Sequence, residues 1–266
     1  MHKSLGDYFL TTGGFVVRAA VYVGLLAPVV IVIASSLTAG RVLRFPPDGL
    51  SLRWYYAAVT DDAFMNAFWV STKLATIATI ISLVIGLAAS FAVARRDIPG
   101  KTLLLGLALS PLVIPMVVIG LGLLQSLVWL RLNQSILGLV LGHVLITLPY
   151  VVRTLLAGLV HFDQNLEFAA MNLRASPLRV LSRITLPILA PTVMSAAVFA
   201  FVTSFGNITL SIFLGNGGQT TLPVQIFTYV EQSFEPIIAA VSSLVVFGTV
   251  GLLLVVEWLF GMSKTV

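Results

Sequence analysis

Cysteine is absent from the 266 residues, which excludes disulfides, thiolate metal sites and cysteine nucleophiles and leaves the redox compartment undecided. Charge is nearly as scarce. Asp, Glu, Lys and Arg together make 9% of the chain against 58% hydrophobic residues, and the mean hydropathy is +1.05. So little polar matter cannot clothe an ordinary soluble domain. Short alternating segments of the kind that build a β-barrel are missing, as are solenoid or propeller repeats and low-complexity tracts. Neither H-E-x-x-H nor G-x-S-x-G occurs, so a membrane protease or hydrolase has no metal site or nucleophile, and no catalytic residue or metal ligand is nominated. Gly100-Lys101-Thr102 has the ending of a phosphate-binding loop, but the glycine required five residues earlier is Arg95. The backbone cradle for phosphates is therefore lacking, and any ATP hydrolysis belongs to a separate subunit.

What the chain has is long apolar runs. Stretches free of charge run from Ala19 to Gly40, Leu74 to Ala94, Thr102 to Leu130, Leu132 to Val152, between Arg183 and Glu231, and Pro236 to Val256. Each reaches the roughly 20 residues that a helix needs to cross about 30 Å of hydrocarbon. The expectation is an all-α polytopic membrane protein with six transmembrane helices, the fifth lying inside the longest run. The first run is too long for a signal-peptide core and reads as a retained helix.

Basic residues set the orientation. Arg95, Arg96 and Lys101 crowd the link after the second span, and Arg153, Arg174, Arg179 and Arg183 the link after the fourth, whereas Arg131 alone separates spans three and four. By the positive-inside rule these two links and both termini are cytoplasmic. Arg41, Arg44, Arg53 and Lys73 in the first link run against the trend. That link is too long to be structureless. Phe45-Pro46-Pro47-Asp48-Gly49 is a turn cluster, followed from Ser51 by a helical stretch rich in aromatics, which either anchors at the outer membrane surface or meets an external partner. Pro111 and Pro115 in span three, Pro149 in span four, and Pro187 and Pro191 at the start of span five predict bent helices packed among others. Gly138-Leu139-Val140-Leu141-Gly142 permits close helix approach.

One cytoplasmic stretch is amphipathic. Asp163 or Asn165 can cap a helix whose apolar residues Leu166, Ala169, Ala170 and Leu173 share one face. Arg174 comes next, where a cation suits the helix dipole. Ser176-Pro177 is a second helix start, with Leu178, Leu181 and Thr185 on one face, Arg179 and Arg183 on another, and Leu186-Pro187 as the end. On pattern alone, two short helices with a break near Arg174 serve equally as a docking element or as a connector lying on lipid.

The order Glu167, Ala169, Ala170, Leu173, a turn, Ala175, a basic helix and Ile184-x-Leu186-Pro187 resembles the cytoplasmic EAA loop of binding-protein-dependent ABC importer permeases. The resemblance extends to Phe45 through Tyr55, the Ala-Arg-Arg-x-x-Pro-Gly-Lys run from Ala94, Leu148 through Arg153 and Thr221-Leu222-Pro223, which look like the second permease of the spermidine/putrescine type. It implies an ABC type I importer permease fold in the bacterial inner membrane, with an N-terminal helix and external link over residues 1–73. A five-helix permease core with a coupling loop at 157–187 would occupy residues 74–266. It also implies a transport subunit, not an enzyme, working with a second permease subunit, two ATPase subunits that carry ATP and Mg, an external solute-binding protein and membrane lipid. No cofactor on this chain and no nucleic acid are expected. The ATPase-coupling residues would be Glu167, Phe168, Ala169, Ala170, Leu173, Arg174, Ala175, Ser176, Pro177 and Arg179. Two positions depart from the motif: Phe168 stands where glutamate is expected, and Arg174 where the turn has glycine. A non-glycine residue held at positive φ costs about 1–2 kcal/mol, so the turn is expected either to differ in detail or to give Arg174 a partner contact.

For a solute path, Ser195, Thr203, Asn207 and Ser211 recur at multiples of four, which on a continuous helix aligns them along one side. They either line a wet passage or bond neighbouring helices. Gln125 and His143 are further candidates within the spans. Permeases of the resembled polyamine type tend to carry acidic residues after a Ser-Phe pair in span five, whereas here Ser204-Phe205 is followed by Gly206-Asn207. An ammonium without a countercharge is costly in low dielectric, so an amino acid derivative, an opine or an aminophosphonate suits the chain as well as a polyamine. The alternative from another class is a self-sufficient secondary transporter or channel, which would need ion-coupling groups within the spans; Glu257 and His143 are the few available.

Overall fold

The computed structural model describes residues 5–215 and 218–261, with side chains from residue 14 onward. The helices are α1 (Leu5–Ser36), α2 (Arg53–Thr60), α3 (Asp62–Arg95), α4 (Lys101–Leu109), α5 (Met116–Trp129), α6 (Ile136–His161), α7 (Asn165–Asn172), α8 (Pro177–Val180), α9 (Leu186–Ile188), α10 (Ala190–Phe205), α11 (Thr209–Leu214), α12 (Leu222–Gln232) and α13 (Ile237–Phe260). Among the described residues there is no strand, only an isolated bridge between Thr38 and Leu50. Among the described residues four helices are long and apolar enough to cross a membrane, and up to six crossings result if each of two bent helix pairs counts as one. The outermost residues of the two segments read from sequence, 1–4 and 262–266, lie outside the described residues.

The chain divides into two compact units, Met1–Met65 with Thr228–Gly248, and Asn66–Phe227 with Thr249–Val266. In the first, the most apolar window of α1 buries nothing inside the chain. The link after it is built. Thr38 Oγ1 accepts from Gly40 N and Asp48 N, both at 3.1 Å, Ser51 N donates to Leu37 O at 2.7 Å, and Arg44 pairs with Asp48. Gly40 O accepts from Arg53 Nη2 and Trp54 Nε1, both at 3.1 Å, and the guanidinium lies 4.4 Å from the indole centroid. The helical stretch expected here is α2, pinned to α1 by a 2.6 Å hydrogen bond between Ser36 and Tyr55.

In the second unit α6 is the central helix, with 61% of its apolar window buried against 33% for that of α3. Leu139, Val140, Val144 and Ile146 of α6 pack with Leu74 and Ala78 of α3, Ile119 and Leu127 of α5, and Leu210 and Leu214 of α11. Farther along, Val151 and Leu155 meet Ala196 and Ala200 of α10. The Gly138/Gly142 pair does the packing expected of it. A Cβ on Gly142 would run into Leu214, and one on Gly138 would lie 2.8 Å from Leu132 O.

Two spans are broken more sharply than the prolines alone led us to expect. The third turns through 106° between Leu112 and Met116. Ser110–Leu112 forms a single 3-10 turn, and Pro115, at φ −55° and ψ 134°, leaves the helix altogether. A residue before proline is driven out of the α region and proline offers no N–H, so the ladder cannot be carried across. The fifth turns through 72° between Ile188 and Ala190, and its helix ends again at Phe205 before α11. The single polar stripe from Ser195 to Ser211 is therefore corrected: a 3.6-residue period holds only within one helix, and Gly206–Ile208 interrupt it.

Candidate functional site

The hairpin between the fourth and fifth spans forms as two short helices. Asp163 Oδ1 accepts from Asn165 N at 2.9 Å at the entrance, so Asp163 supplies the cap while Asn165 is already inside α7. At the exit Arg174 sits at φ +62°, one residue beyond Leu173. Arg174 N donates to Met171 O at 2.9 Å and Ala175 N to Ala170 O at 3.1 Å. These are the paired bonds of a Schellman turn, which satisfies the last carbonyls of a helix through one left-handed residue. The first of the two outcomes left open by the Arg174 departure, a turn that differs in detail, is not what forms: the left-handed geometry is kept despite the Cβ. Ser176, at ψ 152°, then delivers Pro177 as the first residue of α8.

The second helix departs from its expected register. Leu181–Thr185 is a π turn, whose wider ring rotates the residues beyond it relative to α8. Leu178 is 74% exposed while Thr185 is buried, so they do not share the expected face. None of the α7 side chains is buried. Leu166, Phe168 and Met171 are exposed, and Leu173 reaches 85% exposure. Ala169, Ser176, Pro177 and Arg179 are exposed beside them, with Ala170 and Ala175 half-buried. The hairpin thus presents an unpaired apolar surface.

Glu167, named above among the ATPase-coupling residues, is the exception. Its carboxylate turns inward onto Arg95, the last residue of α3, with Nε–Oε2 at 3.2 Å and Nη2–Oε1 at 3.4 Å. Thr185 Oγ1 donates to Glu167 Oε1 at 2.7 Å. The Arg95 guanidinium lies 5.2 Å from the ring centroid of Phe162, the residue that ends α6. Sequence reasoning missed this cluster. Its one available signal was an arginine and a glutamate on the links after the second and fourth spans.

The candidates for the solute path fall into different surroundings. His143 has 0% exposure and uses both ring nitrogens, Nδ1 to Ser204 Oγ at 2.8 Å and Nε2 to Ser211 Oγ at 3.3 Å. Those two serines stand on either side of the break in span five, so the imidazole joins α6 to both α10 and α11. Ser211 Oγ also donates to Asn207 O at 2.9 Å, and Asn207 Oδ1 accepts from Leu210 N at 2.8 Å, capping α11. Ser195 Oγ donates to Pro191 O at 2.9 Å, a local backbone bond. Thr203 is half-buried and Gln125 exposed on α5. The structure brings together His143, Ser211 and Asn207, adds the unanticipated Ser204, and leaves Thr203 and Gln125 apart from that group.

Residues 82–261, which include the hairpin and the polar group, match the family described as binding-protein-dependent transport system inner membrane component. The chain belongs to this family. It is 31% identical over 241 residues to the putrescine transport system permease protein PotI of Escherichia coli (strain K12), covering 88% of this chain and 85% of that protein. It is 27% identical over 235 residues to the spermidine/putrescine transport system permease protein PotC of the same strain, covering 88% of each. The fold matches a chain of a bacterial ABC transporter involved in the import of alginate, with TM-score 0.73 at 14% identity over 98% of this chain and 99% of that one. A second structure, an alginate ABC transporter in complex with an alginate pentasaccharide-bound periplasmic protein, matches with TM-score 0.67, also at 14% identity, over 97% and 95% of the two chains. The chain is an ABC importer permease of type I fold, a multi-pass inner-membrane transport protein. Permeases of this kind work with a binding protein, as the family description states. The self-sufficient transporter or channel is thereby set aside.

Proposed function

We propose that this permease imports a small polar organic solute, driven by a separate ATPase that docks on the α7–α8 hairpin. The observation that carries the docking reading is the unpaired apolar surface of α7, exposed on a helix whose exit is a Schellman turn. A helix with no buried side chain of its own is stable only against a partner or lipid. Leu173, Phe168 and Leu178 would insert into the partner, with Ala169, Ala170 and Ala175 permitting close approach and Arg174, Ser176, Pro177 and Arg179 forming the rim. In this reading the hairpin and both termini face the cytoplasm, and residues 1–73 and 74–266 act as anchor and transport core. The full assembly has a second permease subunit, two ATPase subunits holding ATP and Mg, and an external binding protein, while this chain holds no cofactor of its own.

The named relatives PotI and PotC favour a polyamine. Span five, however, contains no Asp or Glu from Ala190 to Leu214, and an unpaired ammonium there would be costly. The solute class is accordingly polyamine, opine, amino acid derivative or aminophosphonate. Asn207, Ser211 and Thr203 of span five, with Gln125 of α5, would border its route, and His143 would hold the broken helix in shape. Two measurements test the reading. A Leu173→Cys permease should cross-link to a co-purified ATPase, and an uncross-linked, co-purified ATPase would refute docking at α7. The co-purified binding protein should be thermally stabilised by a member of one of the four solute classes; stabilisation only by sugars or metal oxyanions would refute the solute class.

A further inference from the structure

We propose that Arg95 and Glu167 are a positioning pair that makes the docking helix α7 and the cytoplasmic end of α3 move as one body when the ATPase acts. This rests on the reading of α7 as the docking helix. With no buried side chain, α7 has no apolar core to hold it to the rest of the permease. Its least exposed residues are Glu167 and Ala170, and Glu167 bonds to Arg95 of α3 and to Thr185. Arg95 Nη2 donates one hydrogen bond to Glu167 Oε1 at 3.4 Å, and Nε lies 3.2 Å from Oε2 as an ion pair without a hydrogen bond of its own. The 2.7 Å bond from Thr185 ties the same carboxylate to the π turn leading into span five. The Phe162 ring against Arg95 brings in the end of α6. The Arg95 and Glu167 side chains are only 17% and 15% exposed, so solvent and salt screen the pair weakly. A displacement of α7 therefore passes through Glu167 into Arg95 and along α3.

The experiment uses the complete importer complex in nanodiscs, with nitroxide labels on Ala88→Cys of α3 and Asn172→Cys of α7, both outside the buried core. Their separation is read by double electron–electron resonance without nucleotide and after trapping with ATP and vanadate. The unaltered pair should give one narrow distance, the same in both states. R95A should give a distance that shifts between the states, and the exchange R95E/E167R should restore the single distance. Should R95A fail to insert, E167Q, which keeps the acceptor for Thr185, carries the same expectation. A distance that already shifts with the native pair, or one that R95A alters equally in both states as a purely structural pair would, overturns the proposal. Absence of any ATPase from the purified native complex would instead remove the docking reading, and this inference with it.

Discussion

Arg174 holds a backbone conformation that its Cβ disfavours, and the strain is large enough to measure. At φ +62° an L-residue pays about 1–2 kcal/mol relative to the right-handed region. Replacing it with glycine removes that cost, while the greater freedom of glycine in the open chain returns about 0.5–1 kcal/mol. The difference lies between about 0 and 1.5 kcal/mol, and its midpoint of about 0.75 kcal/mol corresponds to about a threefold to fourfold shift in the opening equilibrium of the turn. The amides that report it are those of Leu173, Arg174 and Ala175, bonded to Ala169, Ala170 and Met171 carbonyls. Hydrogen exchange of the permease in nanodiscs should therefore slow in this segment for Arg174→Gly. Arg174→Ala keeps the Cβ and should show no slowing, and Arg174→Asn, tolerant of left-handed backbone, should fall between. Exchange that accelerates in the glycine variant, or slows equally with alanine, would refute the strain argument. If the glycine variant is better protected yet imports less solute, the guanidinium itself touches the partner.

Gly142→Val drives a branched side chain into Leu214 and should cost about 1–3 kcal/mol, seen as a lower unfolding midpoint in detergent. Gly106→Val, with nothing within 4 Å of its Cβ, is the control that should leave the midpoint in place. His143→Ala takes the imidazole from the buried hydroxyl of Ser204 and leaves Ser211 only its bond to Asn207 O, and should lose about 1–3 kcal/mol; an unchanged midpoint would show that the imidazole is dispensable to the broken span. Leu173→Asp alters a side chain that touches little of its own chain, so the permease should insert and melt normally while ATPase recovery on co-purification falls sharply.

Much of the candidate site was legible because it is local. The cap at Asp163, the apolar spacing from Leu166 to Leu173 and the second start at Ser176-Pro177 all act within a turn or two of chain, so residue order carries them. The motif put its turn glycine at the position of Arg174 and left open whether the turn would differ there; that residue is the left-handed one. The inward turn of Glu167 was not legible, because its partner Arg95 lies 72 residues away and nothing within α7 distinguishes an acid that faces water from one that faces a guanidinium. The same holds for His143, whose serines lie 61 and 68 residues distant.

By itself the sequence determined that this chain lives in a membrane as a bundle of helices, where its basic links fall, and where a two-helix hairpin interrupts the spans. Apolar length and charge suffice for that, since partition into a bilayer depends on composition summed over each segment. Only the tertiary structure decided that spans three and five are broken through 106° and 72°, that an imidazole bridges the second interruption of span five, and that the hairpin is fastened to α3 by one ion pair. A proline or glycine permits a break, but the angle and the groups that satisfy the freed backbone come from neighbouring helices, and those neighbours meet only in the folded chain.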